Sequence, residues 1–235
     1  MTTLRQLHFY STPQHECSYI PGRMARTLFV DPKAVISTDA YSQLSELGFR
    51  RSGRHIYRPH CEGCQACVSV RIPVDSHRPG KSQKRVLNRN RDVRVERVAP
   101  ILSDEHYDLY ARYINARHAD GDMYPPSVEQ FRAFLVEGHD CSFFFEVRHN
   151  DRLLAVAVTD QLGQGLSAIY TFYDPDQPRR SLGTYCILTQ IEQTRQLGLP
   201  YLYLGYWVKQ CQKMNYKIDY RPLQLLLDGH WSTLR

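Results

Sequence analysis

The sequence predicts an α+β fold in two parts, a small amino-terminal domain with a Cys knuckle and a larger mixed domain of helices and strands. Three observations lead there. Cys61, Cys64 and Cys67 form a C-x-x-C-x-x-C run among short strands and turns. Ser103 and Ser127 open two helical patterns that three strand-like runs follow. From Tyr170 to Arg221 the chain reads strand, Pro-rich turn, helix, strand. At 235 residues with 42% hydrophobic content there is enough apolar side chain for a sizeable core.

In chain order, Cys17 to Arg23 reads as a turn and Thr27 to Val30 as a short apolar run. Ser37 or Thr38 caps a helix through Tyr41, Leu44 and Leu47 that Gly48 ends. Phe49 to Arg58 reads as a hairpin around Ser52-Gly53. Val68, Val70, Ile72 and Val74 alternate with polar residues, so a half-buried strand follows, with Pro73 at an edge or a strand end. His77 to Arg97 is the most basic part of the chain and reads as a joint between domains, either a solvated linker with a strand or a strip that tracks phosphates. The expected division is 1–76, a connecting segment 77–98, and 99–235.

In the second part, Ser103 caps a helix whose apolar face is Tyr107, Tyr110, Tyr113 and Ile114, and Ser127 to Gln130 is a capping box for the next. Strands are expected at 142–148, 153–161 and 166–173, with hairpin turns at Asn150-Asp151 and Gly163-Gln164-Gly165. A helix from Leu182 stops at Gly198, and Tyr201 to Trp207 is a strand. Lys209 to Arg221 reads as a polar aromatic loop, and Pro222 to Leu227 as a short terminal helix.

The composition narrows the function. Thirty Lys and Arg against 24 Asp and Glu give a net charge of +6, which favours an anionic partner, nucleic acid above all. Sixteen tyrosines suit both a core and nucleotide stacking. Met1 to Tyr10 has no apolar signal-peptide core, and no run of about 18 apolar residues exists. A cytoplasmic protein with no membrane partner is the expectation. Seven cysteines under reducing conditions point to metal or free thiols sooner than disulfides.

The order α-α-β-β-β-α-β, and the line Arg180-Ser181-Leu182-Gly183-Thr184-Tyr185 at a helix start, resemble the core of GNAT-type acyltransferases. There an R-x-x-G-x-G/A turn cradles a pyrophosphate on open N–H groups. Tyr185 fills the third small position, which points to a donor other than acetyl-CoA. By this resemblance Arg179, Arg180, Ser181, Gly183, Thr184 and Tyr185 bind the donor. A plain helix start with two solvated arginines is the bland alternative.

Longer stretches are similar to the arginyl-tRNA–protein transferases. Cys17 to Arg23, Gly48 to Gly53 and Tyr57 to Cys61 resemble that family's amino-terminal domain. Phe172 to Pro175, Arg180 to Tyr185 and Lys213 to Lys217 resemble its carboxy-terminal domain. The compact length resembles the bacterial branch, which moves leucine from leucyl-tRNA onto proteins with an amino-terminal Asp or Glu and so marks them for degradation. The resemblance implies direct attack of the acceptor amine on the aminoacyl ester, with no ATP. It places Tyr170, Tyr173, Asp174 and Tyr206 near the catalytic centre. It implies a zinc ion or an iron–sulfur cluster on Cys17, Cys61 and Cys64, with Cys67 as a fourth ligand and Ile20 where some relatives carry a further cysteine. Free structural thiols are the alternative there.

An acidic acceptor needs a fixed cation, and Arg23, Arg26, Arg50, Arg51 and Arg54 are the candidates. Strand neighbours point to opposite faces, so Arg50 and Arg51 cannot both serve. Lys213, Lys217 and Arg221 are next in line. Two other classes stay open, an acetyl-CoA-dependent N-acetyltransferase and a non-catalytic RNA-binding protein.

Overall fold

The computed structural model describes residues 4–234. The first part contributes β1 (Phe9–Ser11), β2 (His15–Glu16), β3 (Met24–Ala25), β4 (Thr27–Val30), α1 (Thr38–Glu46), β5 (Arg50–Ser52) and β6 (His55–Pro59). Strands β1, β4, β6 and β5 form a four-stranded antiparallel sheet in that order, and β2 pairs with β3. α1 starts where expected: the Ser37 side chain accepts from the Ala40 N–H, and Gly48 takes φ +85° just past the helix end.

The rest is one large sheet with helices on both faces. Its elements are β7 (Val68–Pro73), α2 (Lys81–Arg89), β8 (Arg94–Val98), α3 (Asp104–Arg117), α4 (Val128–Phe131), β9 (Ser142–His149), β10 (Arg152–Leu162), β11 (Gly165–Tyr173), α5 (Leu182–Gln196), β12 (Tyr201–Trp207), β13 (Leu223–Leu227) and β14 (His230–Leu234). α4 runs on into a π-helical turn, Arg132–Val136. The eight strands lie in the order β14-β13-β7-β12-β11-β10-β9-β8. Side chains alternate across it as strand geometry requires. Phe143, Phe145 and Val147 join α2 and α5 through Val86, Leu182, Cys186 and Ile191. Phe144, Val156, Val158 and Phe172 meet Leu109, Tyr110, Ile114, Phe131 and Leu135 from α3 and α4 on the opposite face.

Three segments depart from the sequence reading. Pro222 to Leu227 is not a helix: β13 is a strand paired with β7 and β14. Five residues with four leucines do not separate helix from strand by period. The deciding signal lay just beyond, in Asp228-Gly229, a two-residue turn with φ +48° and +79° that closes the β13–β14 hairpin. The basic segment 77–98 holds a helix, α2, which turns Gln83 and Val86 inward. β7, read as half-buried, is interior between β13 and β12 and buried on both faces, while Pro73 is its last residue, the strand end that was one of the two expectations. Though it precedes residue 76, β7 is therefore part of the large sheet.

Candidate functional site

β11 and β12 are the parallel neighbours, joined through α5, and they pair over three residues only: Gly165, Leu166 and Ser167 with Tyr201, Leu202 and Tyr203. At Gly165 the strands touch so closely that a side chain would strike the Tyr201 carbonyl. Beyond Ser167 they part. β10 shifts register against β11 between Val158 and Thr159, and β12 shifts against β7 between Tyr203 and Gly205. An irregularity of this kind bends a strand and raises its twist, so two of them on outer flanks pull the inner strands apart.

The split frees backbone carbonyls that a continuous sheet would pair. Two are met by cationic side chains. Arg50 Nη2 donates to Ala168 O at 3.1 Å, and Lys217 Nζ donates to Tyr206 O at 2.5 Å. Lys217 stands on a 3₁₀ segment, Gln212–Asp219, that crosses the mouth of the split. Burial, reinforced by the Arg50 charge, brings its pKa down from 10.5 to about 7.

A cavity of about 720 Å³ opens at this place. Its floor is Ala168 to Thr171 of β11 with Leu204 and Lys217. One wall is the first turn of α5, Ser181 to Thr184 with Ile187. The other wall is the end of α3, with Tyr113, Arg117 and His118, and across from it Lys213 and Tyr216. Ser181, the residue before α5, sits at φ +52° with no side-chain cap bond, so the first-turn N–H groups carry the positive end of the helix dipole without a capping oxygen. Gly183 lets this turn close on the Tyr173 ring, which would lie 3.2 Å from an added Cβ.

Of the expected catalytic group, Tyr170 and Tyr173 line the cavity. The Tyr170 hydroxyl is buried and has no hydrogen-bond partner among the described residues, and burial raises its pKa well above the ordinary tyrosine value. The Tyr173 ring packs on Tyr113 at 4.8 Å. Asp174 is fully buried outside the cavity lining, its carboxylate taken by Arg112 at 3.0 Å and Arg152 at 2.5 Å. The Tyr206 ring turns to the small sheet, its hydroxyl donating to Gly48 O at 2.8 Å, and only its carbonyl faces Lys217.

On the donor side, Ser181, Gly183 and Thr184 line the cavity. Tyr185 packs into the core instead. Arg180 makes a paired contact with Asp92, 2.8 Å at each nitrogen, and that guanidinium brings the Asp92 pKa down to about 2. Arg179 is exposed near the mouth and carries no ion pair among the described residues; its carbonyl accepts from Arg89 of α2.

The acceptor candidates separate. Arg51 is buried against Asp160. Arg54 is exposed on the β5–β6 turn. Arg23 and Arg26 border a different hollow of about 230 Å³ beside Glu62 and Cys64. Arg50 alone of the five reaches the split. Sequence reasoning passed over Tyr113 and His118, whose ring nitrogen lies 3.2 Å from the Tyr113 hydroxyl, and placed Lys217 only in reserve. Their convergence is set by tertiary packing of α3 and the 3₁₀ segment, which no local pattern encodes.

Cys17, Cys61, Cys64 and Cys67 are free thiols. Burial, with the neighbouring thiols of Cys17, Cys61, Cys64 and Cys211, raises Cys67 to about 12. Cys61 Sγ is engaged with the backbone of Arg26. Among the described residues no three Cys, His, Asp or Glu side chains form a group that could hold a metal ion. No described helix is long and apolar enough to cross a membrane.

Residues 105–227 match the family described as arginine-tRNA-protein transferase, C terminus, and residues 15–85 match its N terminus. An aspartate/glutamate leucyltransferase of Stutzerimonas stutzeri is 57% identical, and one of Pseudomonas paraeruginosa 56%, each over 100% of both chains. Among solved structures, L-PGS from Bacillus licheniformis aligns with 12% identity and a TM-score of 0.47, over 71% of this chain and 49% of that one. The chain belongs to the arginine-tRNA-protein transferase family.

Proposed function

We propose that the protein is an aminoacyltransferase that moves leucine from leucyl-tRNA to the α-amino group of proteins beginning with Asp or Glu. One observation carries the reading: the cavity at the split between β11 and β12 lies at the open start of α5, in a chain 57% identical over its whole length to an aspartate/glutamate leucyltransferase. The split parallel pair and the order of elements support a GNAT-like acyltransferase domain at 99–235, with 1–76 as a second domain lending β7 to its sheet.

An aminoacyl ester is already activated. The acceptor nitrogen attacks the ester carbonyl carbon, the bond from that carbon to the ribose oxygen breaks, and the proton lost by the nitrogen ends on the ribose hydroxyl. The free N–H groups of the first turn of α5 are placed to hold anionic or developing negative charge. Tyr170, a lining residue, carries an unpartnered hydroxyl that burial keeps neutral, a proton-bearing group next to the cavity. His118 and Tyr113, linked across the wall, are a second.

The tRNA has a surface to follow. α2 turns Lys81, Lys84, Arg85 and Arg89 outward, Arg91 follows, and Arg179 continues the line toward the cavity mouth. Cations in such a row neutralise successive phosphates. Removal of acceptor proteins by degradation is part of the same proposal.

Labelled leucyl-tRNA, arginyl-tRNA and acetyl-CoA, each incubated with a peptide beginning with Glu, test the reading. Transfer from leucyl-tRNA is expected. Acetyl transfer, or arginine moved in preference to leucine, overturns it.

A further inference from the structure

Buried cations in a folded protein are nearly always matched, because a charge taken out of water without a counter-charge is costly. Arg51 and Arg71 obey this, with a carboxylate at 2.5 and 2.8 Å respectively. At the floor of the split the rule is broken twice in one place. Arg50 and Lys217 are each 7% exposed, and among the described residues neither has a carboxylate partner. Each donates only to a backbone oxygen freed by the parting strands.

The two heads are also close together. Gly205 lies between them at φ +79°, and the point where its side chain would begin is 3.5 Å from Arg50 Nε, 3.6 Å from Arg50 Nη2 and 3.7 Å from Lys217 Nζ. A Cβ there would rest in ordinary contact with both heads, and it is the positive φ that favours glycine at this position. Lys217 lines the cavity and Arg50 stands beside it across Gly205, so the pair, when Lys217 is protonated, lacks one thing, a negative charge. Tyr206 O accepts a hydrogen bond from one of the three Lys217 N–H groups, which leaves donors for an incoming anion.

The anion follows from the reaction class. The donor's phosphates have the basic face of α2 and the start of α5, on the other side of the cavity. The remaining anion in a transfer to amino-terminal Asp or Glu is the acceptor's own side-chain carboxylate. Resting on the function proposed above, we infer that Arg50 and Lys217 together bind this carboxylate, and that Gly205 supplies the left-handed backbone turn against which the two heads meet. Arg50 comes from the small sheet and Lys217 from the 3₁₀ segment, so the acceptor's first residue is read at the junction of the two sheets. A guanidinium and an ammonium favour a carboxylate over an isosteric amide, which would turn an N–H₂ toward one of the cations.

The test compares peptides that begin with Glu and with Gln, assayed with leucyl-tRNA. Wild type is expected to prefer Glu. Lys217→Met, which keeps the length of the side chain and removes the charge, should lower kcat/KM for the Glu peptide relative to the Gln peptide about tenfold to a hundredfold. Persistent transfer to Gln shows that the variant is folded and chemically competent. Arg50→Lys, which keeps the charge and loses the fork, should narrow the preference without abolishing it. If both variants keep the wild-type ratio, or if Lys217→Met loses both peptides equally while its thermal transition is intact, the inference is overturned. If Lys217→Met does not fold, Arg50→Lys decides. Failure of the function itself reads differently: wild type then moves leucine to neither peptide, and calorimetric binding of Glu against Gln peptide still decides whether these cations hold a carboxylate.

Discussion

At two places the small sheet reaches into the large one, and each buries an arginine from β5. Arg51 enters a closed network. Its guanidinium holds both oxygens of Asp160 at 2.5 and 2.8 Å, and Tyr41 and Ser142 donate to the same carboxylate. Burial alone would raise the Asp160 pKa, and the guanidinium overrides it, so the carboxyl stays below its usual range. Arg50, one residue earlier and on the opposite face, meets a carbonyl, a glycine and another cation. The first joint is complete without any ligand. The second has charge left over, and that surplus separates a binding floor from a structural clamp.

Breaking the first joint should have the largest effect. Asp160→Asn strands a buried guanidinium, and denaturant unfolding should show a loss of about 3–5 kcal/mol. Specificity for Glu over Gln in whatever folds should survive. The second joint should answer in the other sense. The Lys217 pKa in the folded chain is about 7 against an unfolded value near 10.5. Between these limits the unfolded chain holds the extra proton, so stability rises with pH across that window, in total by on the order of a few kcal/mol, and the penalty is complete below pH 7. Arg50 and Tyr206 from the neighbouring strands, Cys211 from the preceding loop and Tyr216 beside it face this group. Taking wild type minus Lys217→Met cancels their own titration, and a flat difference curve would refute the assignment.

A smaller effect concerns binding. The carboxylate needs Lys217 charged, so KM for the Glu peptide relative to the Gln peptide should climb by up to about tenfold per pH unit above 7 and level off below it. The ratio removes the common titration of the attacking amine. The smallest effect separates two adjacent donor-side arginines. Arg179→Ala should reduce the salt dependence of tRNA binding by about one phosphate contact. Arg180→Ala, whose partner is Asp92, should leave that slope close to wild type, as a filter-binding salt series would show.

The sequence disclosed what is local. Ser37, Ser103 and Ser127 cap their helices as written, and Asn150-Asp151 and Gly163-Gln164 turn their hairpins. Tyr170, Tyr173 and the start of α5 were legible because one short stretch carries them. α2 was hidden by its charge: an inward face of Gln83 and Val86 is too thin a stripe to signal a helix. The ion pairs of Asp174 were not legible in its own stretch because its arginines, Arg112 and Arg152, come from other elements. The pairing of Arg50 with Lys217 could not be read either, since 3₁₀ segment, bulge and small sheet must all be in place before the two meet.

β7 also sets when the protein can be finished. Its residues, 68–73, leave the ribosome early, yet their partners in the sheet are Tyr201–Trp207 and Leu223–Leu227. Until about 130 further residues are made, this strand has no neighbour on either side, and its apolar face is without its cover. At about 5–20 residues per second that interval lasts roughly 6–26 seconds, during which the amino-terminal part carries an open strand edge. Folding of the two parts is thereby tied to the end of synthesis, and a chain cut before Tyr201 lacks the strands that enclose its own β7.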